Sequence, residues 1–84
     1  MSDNSFLRVV IKNKENQTTE EDVKALSSVN ERGPFDILPL HENFISIIRE
    51  KITFHKKDGS KKEIQLERGV LKITKNEVSI YLGI

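Results

Sequence analysis

Leu7, Val9 and Ile11 alternate with Arg8, Val10 and Lys12, the period-two rhythm of a strand with one buried face. Val10 is the one misfit and is expected to point outward. The rhythm returns further on. Ile52 and Phe54 alternate with Thr53 and His55, and Ile64 and Leu66 with Gln65 and Glu67. Gly69 is expected to break the run before Leu71 and Ile73 form another inward pair. Val78, Ile80 and Leu82 close the chain with Ser79 and Tyr81 on the opposite face. Phe44-Ile45-Ser46-Ile47-Ile48 is apolar almost throughout and reads as a buried strand, with Phe44 in the core. Turn signals separate these runs: Asn30-Glu31-Arg32-Gly33-Pro34, Lys57-Asp58-Gly59-Ser60 and Lys75-Asn76-Glu77. Asp58-Gly59 has the composition of a two-residue hairpin turn.

The segment from 19 to 28 has two readings. As a helix, Thr19 would cap, Glu20 and Glu21 would fill the first turn, and Val23 and Leu26 would share a face. Such a helix would be only about eight residues long, marginal without a large apolar face. Val23, Ala25, Ser27 and Val29 also alternate, and a strand is the favoured reading. Asn13 to Thr19 is expected to be polar loop. Short strands at a spacing of roughly 8–12 residues predict an all-β fold, an antiparallel β-sandwich or barrel.

Composition narrows the class. At 84 residues the chain makes one sandwich domain, 1–84, with its core over about 6–82 and a flexible start at 1–5. A domain of this size buries only about 60–65% of the surface its unfolded chain exposes, which leaves no depth for a closing substrate cleft. Cysteine is absent, which rules out disulfides and thiolate metal sites. No apolar run approaches the roughly 18 residues of a membrane span, and Met1 to Ser5 is no signal peptide. A formal net charge of +1 argues against nucleic acid as the main partner.

Reactive chemistry is sparse. The two histidines, His41 and His55, have no ligand spacing around them, and zinc needs three or four convergent ligands. No phosphate loop or nucleophile motif is present. No catalytic residue, metal ligand or cofactor is therefore assigned. Lys56, Lys57, Lys61 and Lys62 cluster at one hairpin tip and could meet phosphate or lipid headgroups. Asp58 and Glu63 dilute that field, and lysines on exposed strands commonly serve to block edge pairing.

The densest signal is Gly33-Pro34-Phe35-Asp36-Ile37-Leu38-Pro39-Leu40-His41. Proline gives no backbone donor, so the segment belongs on a sheet edge or an exposed loop. It is expected to carry Phe35, Leu40 and His41 outward, toward a partner, with a local mini-core as the equal alternative for Phe35 and Leu40. Together with Glu67-x-Gly69-Val70-Leu71-x-Ile73 and Leu7-Arg8-Val9-Val10, it resembles the amino-terminal β-domain of the epsilon subunit of rotary ATP synthases, over about residues 6 to 82. The resemblance implies a non-catalytic stalk subunit that packs against a gamma-like subunit and touches the membrane rotor ring. It would sit at the inner, cytoplasmic face of the membrane without inserting into it. Carried over residue by residue, the ring-facing positions are Pro34 and His41, with Arg32, Phe35, Asp36, Leu40 and Glu42 beside them.

Three departures stand out. Asp36 and Leu40 occupy positions where the family usually has glycine, Glu42-Asn43 replaces a small residue and proline, and Glu50-Lys51 replaces a Pro-Gly turn. If those glycines adopt positive φ, Asp36 could follow at some strain but Leu40 could not without cost. The chain reaches Leu82-Gly83-Ile84 where the family begins a helical hairpin with inhibitory and nucleotide-sensing roles, and neither role is assigned. A free-standing sandwich adaptor that binds another protein is the alternative function.

Overall fold

Six strands carry the fold in the computed structural model, which describes residues 6–39 and 43–83. They are β1 (Leu7–Lys12), β2 (Gln17–Asn30), β3 (Gly33–Ile37), β4 (Phe44–Lys56), β5 (Lys61–Thr74) and β6 (Glu77–Leu82). The expected flexible start at 1–5 lies outside the described residues. The segment that read as helix or strand is strand, inside β2.

Neighbouring strands run in the order β1-β6-β5-β4-β2-β3, and a further pairing of β1 with β2 closes the circuit. β3 hangs on the edge of β2. Five of the pairings are antiparallel, and β1 lies parallel to β6. Side-chain alternation has the same period in both directions, so sequence could not reveal that one parallel pair.

The long strands serve two layers. β2 pairs β1 from Gln17 to Val23, then β4 and β3 from Val23 to Asn30. In β4, Phe44–Ile48 pairs with β5, and Arg49–Lys56 pairs with β5 and β2. One layer is therefore β1, β6 and the adjoining halves of β2, β4 and β5; the other is β3 and the remaining halves. The shortest extent of the molecule, 23 Å, accommodates two sheets about 10 Å apart with side chains on both outer faces.

Register shifts mark the passage from one layer to the other. β2 carries an extra residue on each side of Val23, beside Asp22 at φ 54°. β4 shifts around Glu50, whose φ is 73°. β5 shifts opposite, just before Gly69. An extra residue bends a strand and increases its twist, which is what turning a corner between layers requires. Gly69 does not interrupt β5 as expected. It sits within the strand because a Cβ there would lie 2.9 Å from Leu82 Cδ2 and 3.0 Å from the Tyr81 carbonyl oxygen.

Between the layers lie Leu7, Val9, Ile11, Val23, Leu26, Ile37, Ile48, Ile52, Phe54, Leu71, Ile73, Val78 and Ile80, with Phe35, Phe44, Ile64, Leu66 and Leu82 packed around them. Ser28 is buried among them, and its hydroxyl donates to the Lys51 carbonyl at 2.7 Å, tying β2 to the bend of β4.

Several expectations about facing are corrected. Ile45 and Ile47 are not buried: they are 65% and 53% exposed, because Phe44 and Ile48 take the inward positions of β4. Val10 is buried despite facing outward, flanked by Thr19 of β2 and Ser79 of β6. Val23 does not share a face with Ala25, Ser27 and Val29. The shift after Val23 puts Leu26 opposite Phe54 and Ser28 opposite Ile52, so these face inward instead. The β4–β5 turn is wider than two residues. The Gly59 N–H donates to the Lys56 carbonyl at 3.0 Å, Gly59 has φ 90°, and Asp58 Oδ1 accepts from the Ser60 amide and hydroxyl.

Candidate functional site

The Pro-framed segment forms the outer edge of the second layer. Asn30 Oδ1 accepts the Arg32 amide at 2.9 Å, and Gly33 at φ 113° completes a turn that a side chain would strain. Pro34 stands opposite Val29 on β3, whose one partner strand among the described residues is β2, so its missing N–H breaks no second ladder there. Arg32, Pro34 and Asp36 are exposed, as is Leu38 at 57%. Phe35 is corrected: it turns inward against the core, its ring 5.9 Å from that of Phe44. Asp36 is extended within β3 and needs no positive φ. Leu40, His41 and Glu42 lie outside the described residues.

Asp36 meets two further polar side chains. Ser27 Oγ lies 2.6 Å from Asp36 Oδ1 and 3.0 Å from His55 Nε2. A hydroxyl has one proton, and the shorter contact to a carboxylate takes it, so Oγ accepts from His55 Nε2–H. A serine nucleophile requires the reverse order, with histidine accepting the hydroxyl proton and the carboxylate behind it. The trio therefore acts as a cross-strand tie from β4 through β2 to the edge strand β3.

The lysine hairpin is divided by its partners. Lys56 Nζ and Lys62 Nζ both bind Glu20, at 2.8 Å and 2.7 Å. These two bonds hold the Glu20 carboxyl below its ordinary value. Lys57 Nζ lies 5.2 Å from the Phe6 ring centre. Lys61 is exposed opposite His55. The four lysines thus do not share one open surface.

A feature missed by sequence reading is the outer face of the first layer. Ile47 pairs with Val70, Val70 with Tyr81, and Tyr81 with Lys12, making one cross-strand row. The adjacent row runs from Ile45 through Lys72 and Ser79 to Val10. Lys12 Nζ sits 5.3 Å from the Tyr81 ring centre. A shallow groove of about 420 Å³ borders the β4 end of these rows, lined by Glu31, Ile45, Ser46, Ile47, Arg49 and Val70. The outer face of the second layer differs, presenting Asp36, Ser27, Thr53 and Glu63 in one row. The signal in the sequence was the doubly apolar stretch 44–48, which suits either a strand buried on both faces or one covered by a partner.

The six-strand sandwich with its Pro-framed edge matches the family model of the ATP synthase delta/epsilon chain β-sandwich domain over residues 6–82. The chain belongs to this family. No curated protein matches it by sequence. Among solved structures, a chain of the Euglena gracilis mitochondrial ATP synthase, from an assembly with the c-ring, superposes on this delta/epsilon-type sandwich with a TM-score of 0.84 at 15% identity, covering 93% of this chain and 51% of that one. A chain from the Tetrahymena thermophila mitochondrial ATP synthase central stalk and c-ring gives a TM-score of 0.76 at 8% identity, covering 99% and 67% respectively. The delta/epsilon-type sandwich described here thus spans about half the length of the Euglena chain. Identities this low establish a shared fold.

Proposed function

We propose that this sandwich is a non-catalytic, epsilon-like subunit of the central stalk of a rotary ATP synthase. It joins the gamma subunit to the membrane rotor ring, at the inner face of the membrane, during ion-driven ATP synthesis. One observation carries the reading: the family match runs through all six strands, 6–82, rather than over a single motif. The two structural neighbours, both from ATP synthase assemblies that include the ring, support it.

The mechanism is mechanical. A stalk element transmits torque only if it does not shear, and a close-packed core resists deformation. Closure of the sheet through the β1–β2 pairing adds to this, because the five strands of the circuit cannot slide without breaking ladder hydrogen bonds. The ring-facing surface in this reading is the rim at Arg32, Pro34 and Asp36; Leu40, His41 and Glu42, also assigned to it by the family resemblance, lie outside the described residues.

Co-expression with the gamma subunit encoded in the same genome tests the proposal. Co-purification of the two as a stable complex is the expected result. A folded chain with no affinity for that gamma subunit refutes it and favours the free-standing adaptor.

A further inference from the structure

Ser27, Asp36 and His55 come from three different strands, and the group they leave free is as informative as the bonds they make. Ser27 Oγ donates to Asp36 Oδ1 at 2.6 Å and accepts from His55 Nε2 at 3.0 Å. The first contact is short, as a hydroxyl donating to a carboxylate is. Oδ2, the second carboxylate oxygen, accepts from no described residue, and Asp36 forms no ion pair among them. Ser27 and His55 are half-buried, whereas Asp36 is exposed on β3, on the same side of the strand as Pro34.

Glu63 provides the contrast. It stands in the same cross-strand row, through Ser27 and Thr53, and is exposed too. No described residue holds its carboxylate. Of these two anions only Asp36 is fixed in direction. A side chain already held in one orientation loses less freedom when a partner arrives. An ionised carboxylate accepts and never donates, so its partner must bring N–H donors, and a cation is favoured. One spare oxygen suits a Lys ammonium or one arm of an Arg guanidinium.

We propose that Asp36 is a pre-oriented anchor for a Lys or Arg side chain of the membrane rotor ring, with Ser27 and His55 as its positioning residues. This deepens the stalk reading above, which turns the rim toward the ring, and rests on it. The contact is particular to this chain, because Asp36 stands where the family usually has glycine. Ser27 sets the direction of the carboxylate. His55, behind it, fills the acceptor side of the hydroxyl and so keeps the serine proton on Asp36. The charge of Asp36 also steers encounter, an effect that weakens with salt.

The full chain, co-expressed with the gamma subunit of the same genome, is bound to immobilised rotor ring purified in detergent, at low and high sodium chloride. Wild type is compared with Asp36→Asn, Ser27→Ala, Ser27→Thr and Glu63→Gln. Circular dichroism and thermal melts check each fold, and Asp36→Gly stands in if Asp36→Asn does not fold. Asp36→Asn is expected to weaken ring binding about three- to tenfold at low salt and to flatten its salt dependence. Ser27→Ala is expected to act in the same direction and Ser27→Thr, which keeps the hydroxyl, to restore binding. Adding Ser27→Ala to Asp36→Asn is expected to change nothing further, whereas a merely structural serine would weaken the double variant again. Glu63→Gln is expected to bind as wild type does. If Asp36→Asn binds the ring as tightly as wild type, the anchor is wrong while the stalk function stands. An equal loss on Glu63→Gln overturns the anchor too, since overall charge would then explain both. A wild-type complex that holds gamma but not the ring removes the ring contact and the anchor with it. A folded chain that binds neither takes the stalk reading down as well.

Discussion

Glu50 supplies a direct test of how the sandwich is folded. It sits where β4 passes between layers, with φ 73°, a conformation that costs a side chain about 1–2 kcal/mol. Its side chain is exposed and forms no hydrogen bond or ion pair with any described residue, so removing it sacrifices no contact. Glycine adopts this conformation freely but loses roughly 0.5–1 kcal/mol through its greater freedom in the unfolded chain. The difference leaves Glu50→Gly more stable by about 0.5–1 kcal/mol. For a domain of this length that raises Tm by about 2–8 °C. Thermal and urea unfolding followed by circular dichroism measure the change, with an unaltered urea m-value as the sign that the folded state is the same. Glu63→Gly is the control: Glu63 is also exposed, on a regular stretch of β5 opposite Thr53. There glycine is expected to cost about 0.5–1 kcal/mol. A Glu50→Gly variant that melts below wild type, in step with Glu63→Gly, refutes the claim that strain is stored at this bend.

Gly69→Ala places a methyl 3.0 Å from a main-chain carbonyl that cannot rotate away, and an unfolding titration is expected to show a loss of about 1–3 kcal/mol. Phe54→Ala empties the largest fully buried position and is expected to cost about 3–5 kcal/mol, enough to leave much of so small a domain unfolded at 37 °C by near-ultraviolet dichroism. Glu20 is held below its ordinary pKa by Lys56 and Lys62, so its contribution is full above the unfolded-state value of about 4.3 and fades as pH falls through the lower folded value. Glu20→Gln is therefore expected to destabilise by on the order of 1 kcal/mol near neutral pH, with a gap to wild type that closes in acid. A gap that persists at pH 2 would mean the residue acts through packing.

Much of the architecture was legible because burial and strand periodicity are local. Leu7, Val9 and Ile11, Ile52 and Phe54, and Val78 and Ile80 all face inward as their alternation foretold. The stretch around Val23 misled for a definite reason. Val23 and Leu26 are three apart, which imitates a helical face, yet the spacing arises from an extra residue in a bulged strand. A bulge exists only relative to a partner strand, so no pattern within one segment can announce it. Phe35 and Ile45 show the same limit at the site. Next to prolines, Phe35 looked like an outward contact, but Phe44 lies close enough to turn it in. Within an apolar run Ile45 looked buried, but no described strand covers its face.

By itself the sequence determined an all-β chain, the positions of most turns, the inward residues of the regular strands, and the family pattern carried by Gly33 to His41 and Glu67 to Ile73. These follow from side-chain alternation and from the backbone limits of glycine and proline, which act within a few residues. Only the tertiary structure decided that β1 closes the sheet against both β2 and β6, that Glu20 gathers Lys56 and Lys62, and that one outer face is apolar while the other is polar. Each of these depends on groups brought together from distant parts of the chain. A side chain's surroundings are set by register across strands, and register is settled when the whole core packs.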